Sequence, residues 1–450
     1  MAKKSATKAG FWNFVDSFKG DKVIWMIVLM LIMLSIIAVS SSTSLLAVQQ
    51  HVTRSAIIKE QLIVSLVSLI LIIGIYNIRN IKVFRALAKW GFAGSVFLLA
   101  CLDLHVNLPF FKALYINSAW RIIKVFGFQL HVFEVVKIAM ILYLAWAVEA
   151  YKTHNFKIAN WLSTKKNFAW IGKDIWQKII YIYAPILIVC VLIVGGSLSS
   201  ALIIGATLAV VIIVGGIPVR ELIPFILVGV IGLAGVIGIN KLSNGKYFSH
   251  LGTAVARVFF SPEQELEEAI GTPDFQKVLD KVRQPISAKI AVSEGPKGIG
   301  KSTQKYVVPI MFEDYMFAFI LEEYGLLGAI VVLLLYGSLL ARGSFIVRGT
   351  PEIFAKTTVA GLTILISWQA MMHMMINVGL GPLTGQTLPM ISHGKSSMIV
   401  FSIAFGIILA ISRMAKESID KATEDAAPIV SARPDDDVKA GLDELDAMDI

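Results

Sequence analysis

The sequence predicts an all-α polytopic membrane protein of about ten transmembrane helices with one large extracytoplasmic loop. Of its 450 residues 56% are hydrophobic and only 16% charged, and mean hydropathy is +0.74. A soluble domain would carry about 25% charged residues. Apolar runs near the roughly 20 residues that cross a bilayer recur along the chain, and basic residues gather in alternate connections between them. The net charge of +10 therefore reports membrane topology, and nucleic acid is not expected as a partner. The two cysteines, Cys101 and Cys190, lie inside apolar runs and suggest neither a disulfide framework nor a metal cluster. The seven histidines lack helical ligand spacing, which argues against a dedicated zinc site.

Residues 1–21 are polar and basic and form a cytoplasmic segment. The run 23–40 is too long for a signal-peptide core and lacks a small-x-small cleavage site, so it reads as an uncleaved first span. Further runs follow at 61–76, 87–104, 131–148, 179–194, 198–214, 223–239, 310–340, 358–380 and 389–411. Basic residues concentrate at the amino terminus and at 79–89, 152–178, Arg220, 342–356 and 413–416. The positive-inside rule then places both termini in the cytoplasm and the loop 241–309 outside. The membrane domain is 22–414, and the tail 415–450, rich in Asp, Ala and Pro, reads as disordered and able to recruit a cytoplasmic partner.

In the outer loop, residues 261–283 read as amphipathic helix pieces whose acids Glu263, Glu265, Glu267 and Glu268 form a solvated cap. Residues 295–302, GPKGIGKS, satisfy the pattern of a phosphate-binding loop. About 70 residues between the flanking spans leave no room for the alternating strands and helices of a nucleotide-binding domain, and the loop faces away from ATP. No nucleotide is expected. Lys297, Lys301 and Lys305, beside flexible glycines, remain suited to attract a phosphate or pyrophosphate.

Three groups of residues carry the chemistry. Glu313 and Asp314 stand where the polar loop becomes a long apolar helix, with Glu322 and Glu323 two turns further in. An unpaired carboxylate at mid-membrane costs about 2.5–3.5 kcal/mol, so such acids face a cavity or a partner. Glu134 and Lys137, on one helical face, can neutralise one another. Between residues 361 and 398, Pro382, Gly385 and Pro389 sit among small polar residues between two apolar runs. Broken backbone at membrane depth is tolerated where protein or a watery cavity satisfies it, which predicts a cavity near the outer surface.

In order along the chain come STQ (Ser302, Thr303, Gln304), Pro309, Asp314 with Tyr315, Glu322, Glu323 and Gly325, then Gln369, P-x-T-G (Pro382, Thr384, Gly385), Leu388 with Pro389, and S-x-G-x-S-S (Ser392, Gly394, Ser396, Ser397). This order resembles the SEDS family of shape, elongation, division and sporulation proteins, represented by FtsW, RodA and SpoVE. The match runs from about Trp25 to Arg413, and residues 18–44 look most like division-type members from Bacteroidetes-like bacteria.

The resemblance implies a peptidoglycan glycosyltransferase in the bacterial inner membrane. It would polymerise lipid II for septal wall synthesis beside a class B penicillin-binding protein and other divisome proteins. The family's outer-loop aspartate matches Asp314, the expected general base, and its ExxK pair matches Glu134 and Lys137. The substrate-binding set is these two with Lys301, Lys305, Gln304, Glu323, Gln369, Ser392, Ser396 and Ser397, and a divalent cation (Mg or Mn) is a candidate to share the charge of the leaving group. Departures are present: the usual Q-P-S reads His131, Val132, Phe133; P-D-L-G-T reads Gly196, Ser197, Leu198, Ser199, Ser200; and S-Y-G-G reads Ser392, His393, Gly394, Lys395. They leave the acid in place and alter the polar lining. A lipid II flippase or transporter, an elongation polymerase like RodA, and a pure scaffold are the competing readings; only the polymerases make new glycosidic bonds.

Overall fold

The computed structural model describes residues 19–42, 53–116, 119–242, 262–302, 311–381 and 385–431. The first helix, α1 (Lys22–Ser42), starts where Asp21 Oδ1 accepts the Val23 and Ile24 amides at 2.9 and 3.1 Å. Its other oxygen receives Arg342 Nε and Nη2 at 2.9 and 2.6 Å, so one carboxylate caps one helix and anchors another. Thr53 and Asn80 cap α2 (Arg54–Tyr76) and α3 (Ile81–Asp103) in the same way.

Between α3 and α4 (Val132–Lys152) the chain forms a sheet that the apolar runs do not predict. Strands β1 (Asn107–Leu108), β2 (Phe111–Ile116), β3 (Ala119–Val125) and β4 (Phe128–His131) pair antiparallel in sequence order. The β3–β4 turn has positive φ at both central residues, Phe126 (48°) and Gly127 (91°), as a tight hairpin of right-handed twist requires. In the β2–β3 ladder Leu114 pairs with Ile122 and Tyr115 with Trp120, so Arg121 is the bulged residue.

After α4 come the short α5 (Lys157–Ser163), α6 (Asp174–Val194) with a π turn at Ile179–Tyr183, α7 (Leu198–Val214) and α8 (Val219–Leu242). The outer segment holds α9 (Pro262–Ala269) and α10 (Phe275–Ser293), in keeping with the amphipathic reading. The last third is α11 (Met311–Asp314), α12 (Met316–Gly349), α13 (Ile353–Asn377) and α14 (Lys395–Ser431).

Seven helices among the described residues, α1, α2, α3, α6, α12, α13 and α14, are long and apolar enough to cross a membrane. The chain is a multi-pass membrane protein. The other three apolar runs are also helical, as α4, α7 and α8: α4 carries Glu134, Lys137, Glu149 and Lys152, and α7 has 17 residues. The core forms where α4, α7 and α13 meet. A Cβ on Gly361 would lie 2.6 Å from Ile141 and 2.7 Å from Val211, so close helix approach depends on that glycine.

Two expectations need correction. The run 389–411 is not one helix: residues 385–394 are irregular and α14 begins at Lys395, because Pro389 lacks an amide and the small polar residues favour local bonds. The tail does not leave helical structure at residue 415. Ala415 to Ser431 continue α14, sustained by the helix formers Ala, Lys and Glu, and the remainder to 450 lies outside the described residues.

Candidate active site

Asp314 ends α11, and the Tyr315 backbone (φ −123°, ψ 26°) breaks the chain before α12 starts at Met316. The break is held by side chains from elsewhere. Ser392 Oγ donates to the Glu313 carbonyl at 2.7 Å, Asn377 Nδ2 to the Asp314 carbonyl at 3.1 Å, and the His393 amide to the Phe312 carbonyl at 2.9 Å. On the far side, the Ala318 amide donates to Asn377 Oδ1 at 2.9 Å and the Phe317 amide meets His373 Nε2 at 3.4 Å. Asp314 therefore projects from a rigid corner, with its side chain partly exposed. Gly385, at φ 60°, passes so near that a Cβ there would sit 3.5 Å from Asp314 Oδ2. Burial raises the pKa of Asp314, and the positive charge of Arg121 opposes that shift; burial and the Asp314 charge both raise Glu313.

Beside this corner runs a buried polar chain. Lys137 is 0% exposed, and its Nζ donates to Glu134 Oε1 at 2.8 Å and to Gln369 Oε1 at 2.5 Å. Gln369 Nε2 reaches the Thr387 carbonyl at 3.4 Å, and the Thr387 and Ser397 hydroxyls lie 2.9 Å apart. Ser396 Oγ accepts the His131 amide at 2.8 Å, and Ser392 Oγ accepts the Leu388 amide at 3.0 Å. His373 Nδ1 lies 2.7 Å from the Gln386 carbonyl, whose side chain donates to Ser200 Oγ at 3.2 Å. Two atoms of this chain, Glu134 Oε2 and Gln386 Oε1, are buried without a partner, an arrangement that suits a bound polar ligand.

The structure thus brings together Asp314, Glu134, Lys137, Gln369, Ser392, Ser396 and Ser397. It does not bring Glu323 into this set. Glu323 Oε2 accepts Ser41 Oγ of α1 at 2.6 Å, while Glu322 receives Ser302 Oγ and its carbonyl the Lys297 amide at 2.6 Å, so these acids fasten the outer segment and α1 to the Gly325 kink. Lys301 is exposed on that segment and shares no partner with Lys137 among the described residues. Gln304 and Lys305 lie outside the described residues.

Several site residues escaped the sequence reading. Arg121, aimed by its bulge, donates from Nε to the Gly196 carbonyl at 3.1 Å and acts electrostatically on Asp314. His373 and Asn377 follow Gln369 at four-residue intervals on α13, a polar stripe on an apolar helix that helical periodicity could have exposed. His393 Nδ1 lies 2.8 Å from Gln61 Oε1, and Gln61 Nε2 donates to Ser35 Oγ at 2.8 Å, which donates to the Ile391 carbonyl at 2.8 Å. This link ties α1 and α2 to the Asp314 corner. His393→Phe strands the buried Gln61 amide and is expected to lower stability by about 1–3 kcal/mol. In thermal unfolding, His393→Phe and Gln61→Ala should be markedly non-additive; simple addition would mean the link carries no energy.

The sequence profile of the FtsW/RodA/SpoVE family, described as cell cycle protein, matches residues 21–417. The chain belongs to this family. Among FtsW/RodA/SpoVE relatives, a protein of Hahella chejuensis named probable peptidoglycan glycosyltransferase FtsW is 32% identical over 215 residues, 46% of this chain and 53% of the relative. Stage V sporulation protein E of Bacillus subtilis is 30% identical over 196 residues, 43% of this chain and 49% of the relative. The chain spans about half the length of these curated relatives in the alignments. In structure it is similar to a chain described under structural coordination of polymerization and crosslinking by a peptidoglycan synthase complex (TM-score 0.61, 21% identity, 88% of this chain and 98% of that one). It is also similar to the rod shape determining protein RodA of Thermus thermophilus (TM-score 0.54, 19% identity, 88% and 97%). These likenesses show a shared FtsW/RodA/SpoVE fold.

Proposed function

We propose that the chain is a peptidoglycan glycosyltransferase that polymerises lipid II, with Asp314 as general base. The observation that carries this reading is one carboxylate on a rigid corner, opposed by Arg121 and continuous with the buried Glu134–Lys137–Gln369 chain. The 4-hydroxyl of an acceptor GlcNAc attacks the anomeric carbon of a donor MurNAc. The new carbon–oxygen bond forms as the bond to undecaprenyl pyrophosphate breaks, with inversion at that carbon, and Asp314 takes the hydroxyl proton. The pyrophosphate leaves with its own charge, so it needs a cation and no second acid.

Arg121, whose positive charge acts on Asp314, is the first candidate for that cation, and Lys301 and Lys305 are further candidates. Among the described residues no group of three or more His, Cys, Asp or Glu gathers to cage a metal. A divalent cation would therefore bind through one carboxylate and the pyrophosphate itself, where it would neutralise leaving-group charge. Arg121→Ala should reduce turnover by about 10²-fold, and Arg121→Lys less, as expected for loss of one fixed charge at a developing anion.

The charge layout supports a bacterial inner-membrane placement with both termini cytoplasmic. Arg342, Arg413 and Arg85 share the end of the bundle opposite Asp314: Arg342 binds Asp21, Arg413 Nη2 donates to the Ile78 carbonyl at 3.0 Å, and Arg85 pairs with Glu149 and Glu352. The similarity to a chain of a peptidoglycan synthase complex that coordinates polymerization and crosslinking supports a crosslinking partner, which in this reading is a class B penicillin-binding protein acting with this chain in a septal role within the divisome. The deciding experiment is reconstitution in liposomes with lipid II, with and without that partner. Glycan polymer that depends on this chain supports the assignment. Lipid II that crosses the bilayer with no new glycosidic bond would establish the transporter instead.

A further inference from the structure

The reaction leaves the outer end of the sheet unexplained. Phe110 and Phe126, in the β1–β2 and β3–β4 turns, stack at 5.4 Å between ring centroids, and the Phe126 amide donates to the Phe110 carbonyl at 3.0 Å. The two rings are 66% and 81% exposed. Phe126 holds φ at 48°, a conformation that disfavours bulky side chains by about 1–3 kcal/mol and that Asn or Gly would adopt freely. Strain is thus tolerated to keep an aromatic ring at the tip.

Just behind the tip, Lys112 pairs directly with Lys124 across β2 and β3, and Lys124 with Gln129 across β3 and β4. Both lysines are exposed. Like charges directly opposite one another destabilise a sheet, and an anion over them would relieve the repulsion. The chain that leads into the sheet is apolar and exposed as well. Leu87, Trp90 and Phe97 are exposed along the membrane helix α3, and Leu104, Leu108 and Phe110, which follow it in sequence, are exposed too.

We infer that the tip of this sheet docks on the outer leaflet of the bilayer that holds the chain. Phe110 and Phe126 enter the boundary between headgroups and acyl chains, and Lys112 and Lys124 rest on anionic lipid phosphates. Aromatic rings favour that depth because an apolar body meets a wet rim there, and each lysine near an anionic surface adds about 1 kcal/mol. Docking would fix the sheet at both ends, since β4 runs directly into α4 at Val132 and the bulge at Arg121 lies between. The inference requires the multi-pass placement and is independent of the polymerase assignment.

The test uses the full chain in nanodiscs of phosphatidylethanolamine and phosphatidylglycerol. In a Cys101→Ala, Cys190→Ala background, Phe126→Cys is labelled with nitrobenzoxadiazole. Blue-shifted emission, quenched more by nitroxide on the upper acyl chain than by aqueous iodide, is expected. Quenching by iodide with none from the lipid nitroxide overturns the inference, as does shielding that arises only when a partner protein is added. Adding Lys112→Gln and Lys124→Gln should red-shift the emission in phosphatidylglycerol discs and leave it unchanged in pure phosphatidylcholine. An equal shift in both lipids would show that the lysines do not read anionic headgroups. A monodisperse elution profile matching the parent chain confirms that the labelled variants are folded.

Discussion

Asp314→Asn should abolish lipid II polymerisation while leaving expression, thermal stability and membrane insertion close to those of the parent chain. The substitution keeps the size of the side chain and removes its basicity. The corner that positions it depends on main-chain groups of Phe312, Glu313 and Asp314 bonded to His393, Ser392 and Asn377, none of which needs the carboxylate. A sugar hydroxyl is a poor nucleophile at neutral pH, and a positioned base contributes about 10²–10⁴-fold, so at least that loss is expected in single-turnover gel assays. The raised pKa of Asp314 adds a pH signature. The base works only when ionised, so turnover should fall as pH drops through a value above the ordinary aspartate pKa of about 3.9, and the acidic limb should vanish from any residual activity of Asp314→Asn. Polymerisation by Asp314→Asn within a few-fold of the parent would transfer the role to Glu313, whose carboxyl lies beside it.

The acids and the ion pair were legible because charge in an apolar run is costly and therefore informative. Asp314, Glu134 and Lys137 stand out for that reason, and helical spacing alone placed the latter two together. Glu323 shows the limit of the argument: a charge can be expensive and stand apart from the Asp314 corner, and its partner Ser41 at the end of α1 is 282 positions away and invisible to local pattern. The sheet was not legible. Its two longer strands have six and seven residues, half-buried, and their weak alternation is overshadowed by the stronger helical signals on either side. Arg121 was hidden by the same cause, since a bulge is a property of pairing register and no local pattern specifies it. Gln61 and His393 lie 332 positions apart, and their bond exists only because α2 packs on α14. Compositional reading also failed for Ala415 to Ser431, where Ala, Lys and Glu meet the criteria for a disordered tail and those for a helix equally.

The second large effect belongs to Glu134 and Lys137. Lys137 is wholly enclosed among α4, α13 and their neighbours, with Glu134 Oε1 and Gln369 Oε1 as its acceptors, so among the described residues Glu134 is the carboxylate that balances its charge. Removing one member of a buried pair leaves the other uncompensated in low dielectric, at about 3–5 kcal/mol, whereas replacing both by uncharged groups of similar volume is often neutral. Glu134→Gln should therefore unfold at markedly lower temperature than the parent, and Glu134→Gln with Lys137→Met should recover most of that loss. Activity should not recover with it. The second oxygen of Glu134 is buried without a hydrogen-bond partner among the described residues, which suits a donor from a bound ligand, and the double variant no longer presents it. A stable, inactive double variant with weakened lipid II binding assigns the pair to the substrate. If the double variant is as active as the parent, the pair serves the scaffold alone. If each single variant melts with the parent, the buried placement of Lys137 is wrong.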